Sequence, residues 1–138
     1  MRTIALSFAL LALAWGAAPE TPYSALARFS ADLSQSDGLG ATALFDSSMK
    51  GYGDLQRNVL SLTEQTTILC SIDVIEDTEK DGVHTLSVDW YMTLTGLTDT
   101  NHTERRREQV TLDMRQIKGK WKVTSLSPLS IIDPIHFV

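Results

Sequence analysis

Cysteine, basic charge and long apolar runs are all scarce in this 138-residue sequence, and each scarcity excludes something. The single cysteine rules out a disulfide-stapled mini-protein and a Cys-rich zinc module. Twelve Lys and Arg stand against 17 Asp and Glu, a formal net charge of -5, so the basic footprint of a general nucleic-acid binder is missing. Four Pro and eight Gly are too few for a collagen-like or disordered chain. The three histidines, His84, His102 and His136, fall at no metal-ligand spacing. There is no Gly-x-Ser-x-Gly elbow and no glycine-rich phosphate loop. No metal and no cofactor is therefore expected.

Ordinary globular composition remains, 43% hydrophobic and 21% charged, in a length that suits one domain. Residues 1–18 read as an address. Arg2 supplies a positive start, an apolar run of about a dozen residues follows from Ile4 to Trp15, and Gly16, Ala17 and Ala18 are small. This is the layout of a secretory signal peptide, too short for a membrane span of roughly 20 residues. The expected destination is exported, periplasmic or extracellular, with residues 19–138 forming one domain and no stable membrane span after cleavage. In such a compartment Cys70 has no intramolecular partner; between Ile68 and Ile72 it reads as a small buried hydrophobe.

Helical spacing comes first. Thr21 and Pro22 make a helix start, and Pro22, Leu26, Phe29 and Leu33 recur along one face. A short second helix is expected from Ala41 to Met49, then a third capped by Asp54 with Leu55, Val59 and Leu62 inward. From Thr66 the period becomes two. Ile68, Cys70, Ile72 and Val74 alternate with polar positions, and Leu86, Val88, Trp90, Met92 and Leu94 do so most cleanly. Val110, Leu112 and Met114 follow, then a hairpin turn at Gly119–Lys120 and a last strand with Trp121, Val123 and Ser125 inward. Keeping apolar faces together pairs Trp90 with Cys70 and Val110, Glu108 with Met92, and Arg106 with Leu94. The acidic turn Glu76, Asp77, Glu79, Asp81 and the basic turn Lys118, Lys120, Lys122 fall at one end of the sheet, where they are expected to solubilise each other.

Helices followed by an antiparallel meander define an α+β class. The opening Ser24-Ala25-Leu26-Ala27-Arg28-Phe29, the Met49–Tyr52 junction, the Leu86–Leu94 strand and the closing Gly119-Lys120-Trp121-Lys122-Val123 hairpin resemble the nuclear transport factor 2-like (cystatin-like cone) superfamily over roughly residues 21–128. The resemblance implies N-terminal helices packed on a strongly curved antiparallel sheet, with a pocket on the concave face. Tyr23, Tyr52, Trp90, Met92 and Val110 would line that pocket, with Arg106 and Glu108 at its mouth. The alternative for the same face is a cone filled by the helices, with Trp90 in the core.

Catalysis finds little support. Asp89 and Asp113 fall on the polar face, no Asp–His pair is evident, and Glu108 is the one carboxylate on the apolar face, with Arg106 beside it to lower its pKa. The leading expectation is a small-ligand-binding or protein-interaction domain, its partner a small apolar molecule or a second copy docked through Leu69, Ile75 and Tyr91 on the outer face. The alternative is a cofactor-independent isomerase, dehydratase or cyclase working in the cone. The apolar end Ile131–Val138 either packs back or joins an interface.

Overall fold

A computed structural model describes residues 19–135. The expected signal segment 1–18 and the terminal His136, Phe137 and Val138 lie outside the described residues. The chain runs through helices α1 (Pro22–Ser34), α2 (Gly38–Thr42) and α3 (Tyr52–Gln65), then strands β1 (Thr66–Lys80), β2 (Val83–Gly96), β3 (Thr103–Ile117) and β4 (Lys120–Ser127), and a final 3-10 turn Leu129–Ile132. The strands form one antiparallel sheet in the order β1-β2-β3-β4, curved around the helices. This is the α+β arrangement expected from the change of period. No helix among the described residues is long and apolar enough to cross a membrane.

Helix α1 begins as its residues dictate. Thr21 accepts from the Ser24 backbone N–H while the Ser24 hydroxyl accepts from Thr21, a reciprocal cap, and Pro22 occupies the first turn. Leu26, Phe29 and Leu33 are buried. The second and third helices differ from expectation. α2 starts earlier, at an Asp37 cap, and has ended before Leu44 and Phe45, which are buried from the turn and isolated bridge that follow it. α3 starts at Gly51 rather than Asp54. Gly51 has φ +82°, a conformation that L side chains rarely adopt, so this junction favours glycine.

The strand register departs from expectation by two residues. Trp90 stands opposite Ile72 and Glu108, Val88 opposite Val74 and Val110, Cys70 opposite Met92, Arg106 opposite Met92, and Glu104 opposite Leu94. Two of the three offsets have a local cause. Lys118–Gly119 is a two-residue turn with positive φ at both positions, one residue earlier than Gly119–Lys120, and in β1–β2 the like Asp81–Gly82 turn carries β1 on to Lys80 while a bulge at Ile75 completes the offset. An offset of two preserves the faces; an offset of one would have inverted them. A bulge between Asp113 and Met114 also turns Ser125 outward and sends Leu126 inward.

The concave face and the helices share one core. Phe29 meets Phe45 and Trp90 edge-on at 5.3 and 5.5 Å. Leu86, Val88, Trp90, Met92, Leu94, Val110, Leu112 and Met114 supply the sheet side. The C-terminal segment packs back, with Ile131, Ile132 and Ile135 buried. Arg106 holds it there: Nη1 donates to the Ile131 carbonyl at 3.0 Å, Nη2 to that of Pro134 at 3.4 Å, and Nε pairs with Glu104. The outer face carries polar cross-strand pairs, Thr85–Asp113, Ser87–Gln109 and Asp89–Arg107, beside exposed Leu69, Ile75 and Tyr91. The β4 edge is closed by the segment after α2, where the Val123 N–H donates to Leu44 and its carbonyl accepts from Asp46, both at 2.9 Å.

Candidate functional site

The seven residues expected to line a pocket are spread over three environments. Trp90, Met92 and Val110 are buried in the core, and Tyr52 packs against it. Arg106 is committed to Glu104 and the C-terminal carbonyls, so the expected Arg106–Glu108 pair is absent, and Glu108 is exposed. Tyr23 stands on the surface at the opposite end of α1's buried face, where it meets a group the sequence reading did not assemble.

That group rests on a bulge. Val74 pairs with Val88 and Glu76 with Ser87, leaving Ile75 as an extra residue. Strict alternation would put Asp77 and Glu79 on the outer face. The bulge moves them inward, opposite Leu86 and His84. The expected absence of an Asp–His pair is thereby corrected: His84 Nδ1 lies 3.0 and 3.1 Å from the two Asp77 oxygens, and Nε2 lies 3.4 Å from Glu79. An ionised carboxylate only accepts, so Nδ1 directs a proton towards Asp77. The Tyr23 hydroxyl donates to Asp77 as well. Trp121, opposite Gln116 on the same face, meets the His84 ring edge-on at 5.2 Å and donates its indole N–H to the Glu20 carbonyl at 2.8 Å.

The electrostatics follow from these contacts. The Tyr23 hydrogen bond holds the Asp77 carboxyl below the usual carboxylate range against the opposing effect of burial, with His84 adding a second hydrogen bond and its charge. The Tyr23 hydroxyl is raised in turn, first by Asp77 as acceptor, then by burial and by the charges of Asp77 and Glu79. A depressed carboxyl contributes stability that is present above its unfolded pKa and is lost as pH falls through the folded value. Tyr23→Phe is therefore expected to move the Asp77 titration up towards the ordinary aspartate value of about 3.9 and to shrink the acid-sensitive part of the stability. Carboxyl-carbon NMR titration checks this; an unmoved Asp77 would mean that Tyr23 has no hold on it. Elsewhere burial pushes the Cys70 thiol up to about 11, outweighing the opposing contacts with Ser30 and Trp90, so the thiolate is not available near neutrality.

Two grooves open beside Trp121. One, of about 480 Å³, is lined by Glu79, Asp81, Val83, His84, Arg115, Gln116 and Trp121. The other, of about 490 Å³, is lined by Glu20, Arg28, Asp32, Gly40, Lys120, Lys122 and Trp121. Both volumes are within the roughly 300–1,000 Å³ of small-molecule sites. None of the seven residues expected to line a pocket borders either groove. The acidic and basic turns do not neutralise each other as expected: among the described residues no ion pair joins them. Among the described residues no three His, Cys, Asp or Glu side chains converge as a metal site.

Curved sheet, packed helices and an open concave end define an α+β cone. The comparisons agree on the fold. No protein-family model matches the chain, and no curated protein matches it either. Solved structures do. A conserved protein from Planctomyces limnophilus superposes with a TM-score of 0.67 at 10% identity, over 74% of this chain and 87% of that one. A nuclear transport factor 2-like superfamily protein from Salmonella enterica gives 0.61 at 13% identity, over 81% and 87%. A proposed aromatic ring hydroxylase from Novosphingobium aromaticivorans gives 0.60 at 8% identity, over 80% and 93%. The chain has the nuclear transport factor 2-like fold.

Proposed function

We propose that this chain is an exported small-ligand-binding domain whose ligand seats at the open end of the concave face, against Trp121 and His84. The observation that carries this reading is Trp121 itself. It is a half-buried indole that walls two grooves, fixed by its bond to Glu20 and by the His84 ring, with charged and amide side chains on both sides. The interior is filled by Trp90, Phe29 and their neighbours, so the accessible concave surface is this end. Aromatic anchors of this kind carry a large share of binding energy. The ligand is correspondingly amphipathic rather than purely apolar.

Native mass spectrometry of protein taken from the exported fraction of its own host is the test. A retained small molecule is expected, with affinity falling roughly tenfold or more in Trp121→Ala. The same spectra report whether a second copy docks on the outer face of Leu69, Ile75 and Tyr91. A bare protein insensitive to Trp121→Ala in every ligand screen would defeat the reading.

One observation favours a second reading, catalysis in the cone without a cofactor. Asp77 holds the His84 ring through Nδ1, and Nε2 lies 3.4 Å from the exposed Glu79 beside the groove, an imidazole and a carboxylate placed together as a general acid–base pair would be. If the retained molecule is converted on incubation with the wild-type chain and untouched by His84→Gln, this second reading replaces the first. If it is held and unchanged, the domain is a binder.

A further inference from the structure

The two grooves differ in sign. The groove on the hairpin side of Trp121 is lined by Glu79 and Asp81, both exposed, with Asp77 directly behind His84. The groove on the α1 side is lined by Lys120, Lys122 and Arg28. The exceptions are partly spent on other groups: Arg28 pairs with Glu20, and Lys122 donates to the Ala43 carbonyl. Arg115 faces the acidic groove and Asp32 the basic one, so each side is mixed but keeps its excess. Opposite charges at one end of a sheet ordinarily find each other. Here neither Lys118 nor Lys120 has an ion-pair partner among the described residues, and Asp81 has none either. Trp121 borders both grooves and is the one side chain that lines both.

Resting on the ligand-binding reading above, we propose that this composite site takes a dipolar molecule that lies across Trp121 from one groove to the other. Its cationic end lies towards Glu79 and Asp81, its apolar middle on Trp121, and its anionic end towards Lys120 and Lys122. A molecule aligned this way meets complementary potential at both ends, while a molecule of one charge gains at one end and loses at the other. Because these charges are exposed, each end contributes modestly and is screened by salt; selectivity comes from the two ends acting together.

The experiment uses four probes with one body: the tripeptide Ala-Phe-Ala with free ends, its N-acetyl form, its C-amide form, and the doubly blocked form. Binding to the mature chain is followed by titration of the Trp121 indole N–H signal at low salt. The free peptide is expected to bind about two- to fivefold more tightly than either singly blocked form, and the doubly blocked form is expected to be weakest. Two variants at exposed positions localise the ends. Glu79→Gln with Asp81→Asn should abolish the preference for the free over the acetylated peptide and leave the preference over the amide. Lys120→Gln should do the converse. Equal affinity for all four probes, preferences unmoved by these variants, or no shift of the Trp121 signal by any probe at millimolar concentration each overturns the dipolar assignment. Native mass spectrometry separates that failure from failure of the ligand-binding reading: a retained molecule of one charge or none defeats the dipole and keeps the site, while an empty Trp121 groove defeats both.

Discussion

Trp90→Ala is expected to lower the unfolding free energy by about 3–5 kcal/mol, the usual cost of truncating a large buried aromatic. Against a total of roughly 5–15 kcal/mol, that moves the chain close to unfolding. The indole is 1% exposed and packs edge-on against Phe29 in the centre of the concave face. Its N–H has no hydrogen-bond acceptor among the described residues. Trp90→Phe, which removes that unsatisfied donor along with part of the volume, should therefore cost distinctly less than Trp90→Ala. Urea unfolding of the three proteins measures both differences. A ligand platform in an open pocket would give another result: Trp90→Ala would cost under about 1 kcal/mol and act on ligand affinity instead. The two tryptophans of the concave face thus have opposite signatures, Trp90 in stability and Trp121 in binding.

The C-terminal clamp should give the second large effect. Ile131→Ala and Ile132→Ala are each expected to cost about 2–5 kcal/mol, because both side chains are 1% exposed and lie between α3 and β3. Arg106 binds the same segment through the Ile131 and Pro134 carbonyls, so Arg106→Met combined with Ile131→Ala should cost less than the sum of the single losses, by about 0.5–3 kcal/mol. Denaturant midpoints of the four proteins in this cycle measure the coupling. Strict additivity would show that Arg106 and the tail are held independently. This clamp also explains why a half-buried arginine on the concave face is not a ligand group: its donors already face oxygens of the chain itself.

The reading of the fold from sequence succeeded where one physical signal acted alone. The Thr21–Pro22 start and the strict alternation from Leu86 to Leu94 each had a local cause, and each stands in the structure. It failed where two signals competed. Asp81–Gly82 is a strong two-residue hairpin signal, yet the acidic run before it resembles a turn, and reading that run as a turn ends β1 early and misplaces its pairs with β2. Two adjacent apolar residues, Val74 and Ile75, mark the bulge, but either one satisfies the alternation on its own, so the inversion of Asp77 was hidden. With the turn and the bulge both recognised, Glu79 falls opposite His84 and Asp77 on the same face, and the candidate site becomes legible. The contacts of Trp121 with Glu20 and of Tyr23 with Asp77 join residues far apart in the chain, and no local pattern announces them.

The sheet has two ends, and they are finished in different ways. At β4 the backbone groups of Val123 are taken by Leu44 and Asp46, so that border is already occupied by the chain itself. At β1 no strand follows among the described residues; Ser30 of α1 donates to the Cys70 carbonyl, and the border is broken by the bulge and carries Asp73, Glu76, Asp77 and Glu79. An incoming strand would have to match an irregular ladder and bring its backbone against a row of negative charge. The residue that re-aims Asp77 towards His84 therefore has a second consequence at the other side of the strand: it keeps a 15-residue border from templating edge-to-edge aggregation in a crowded solution.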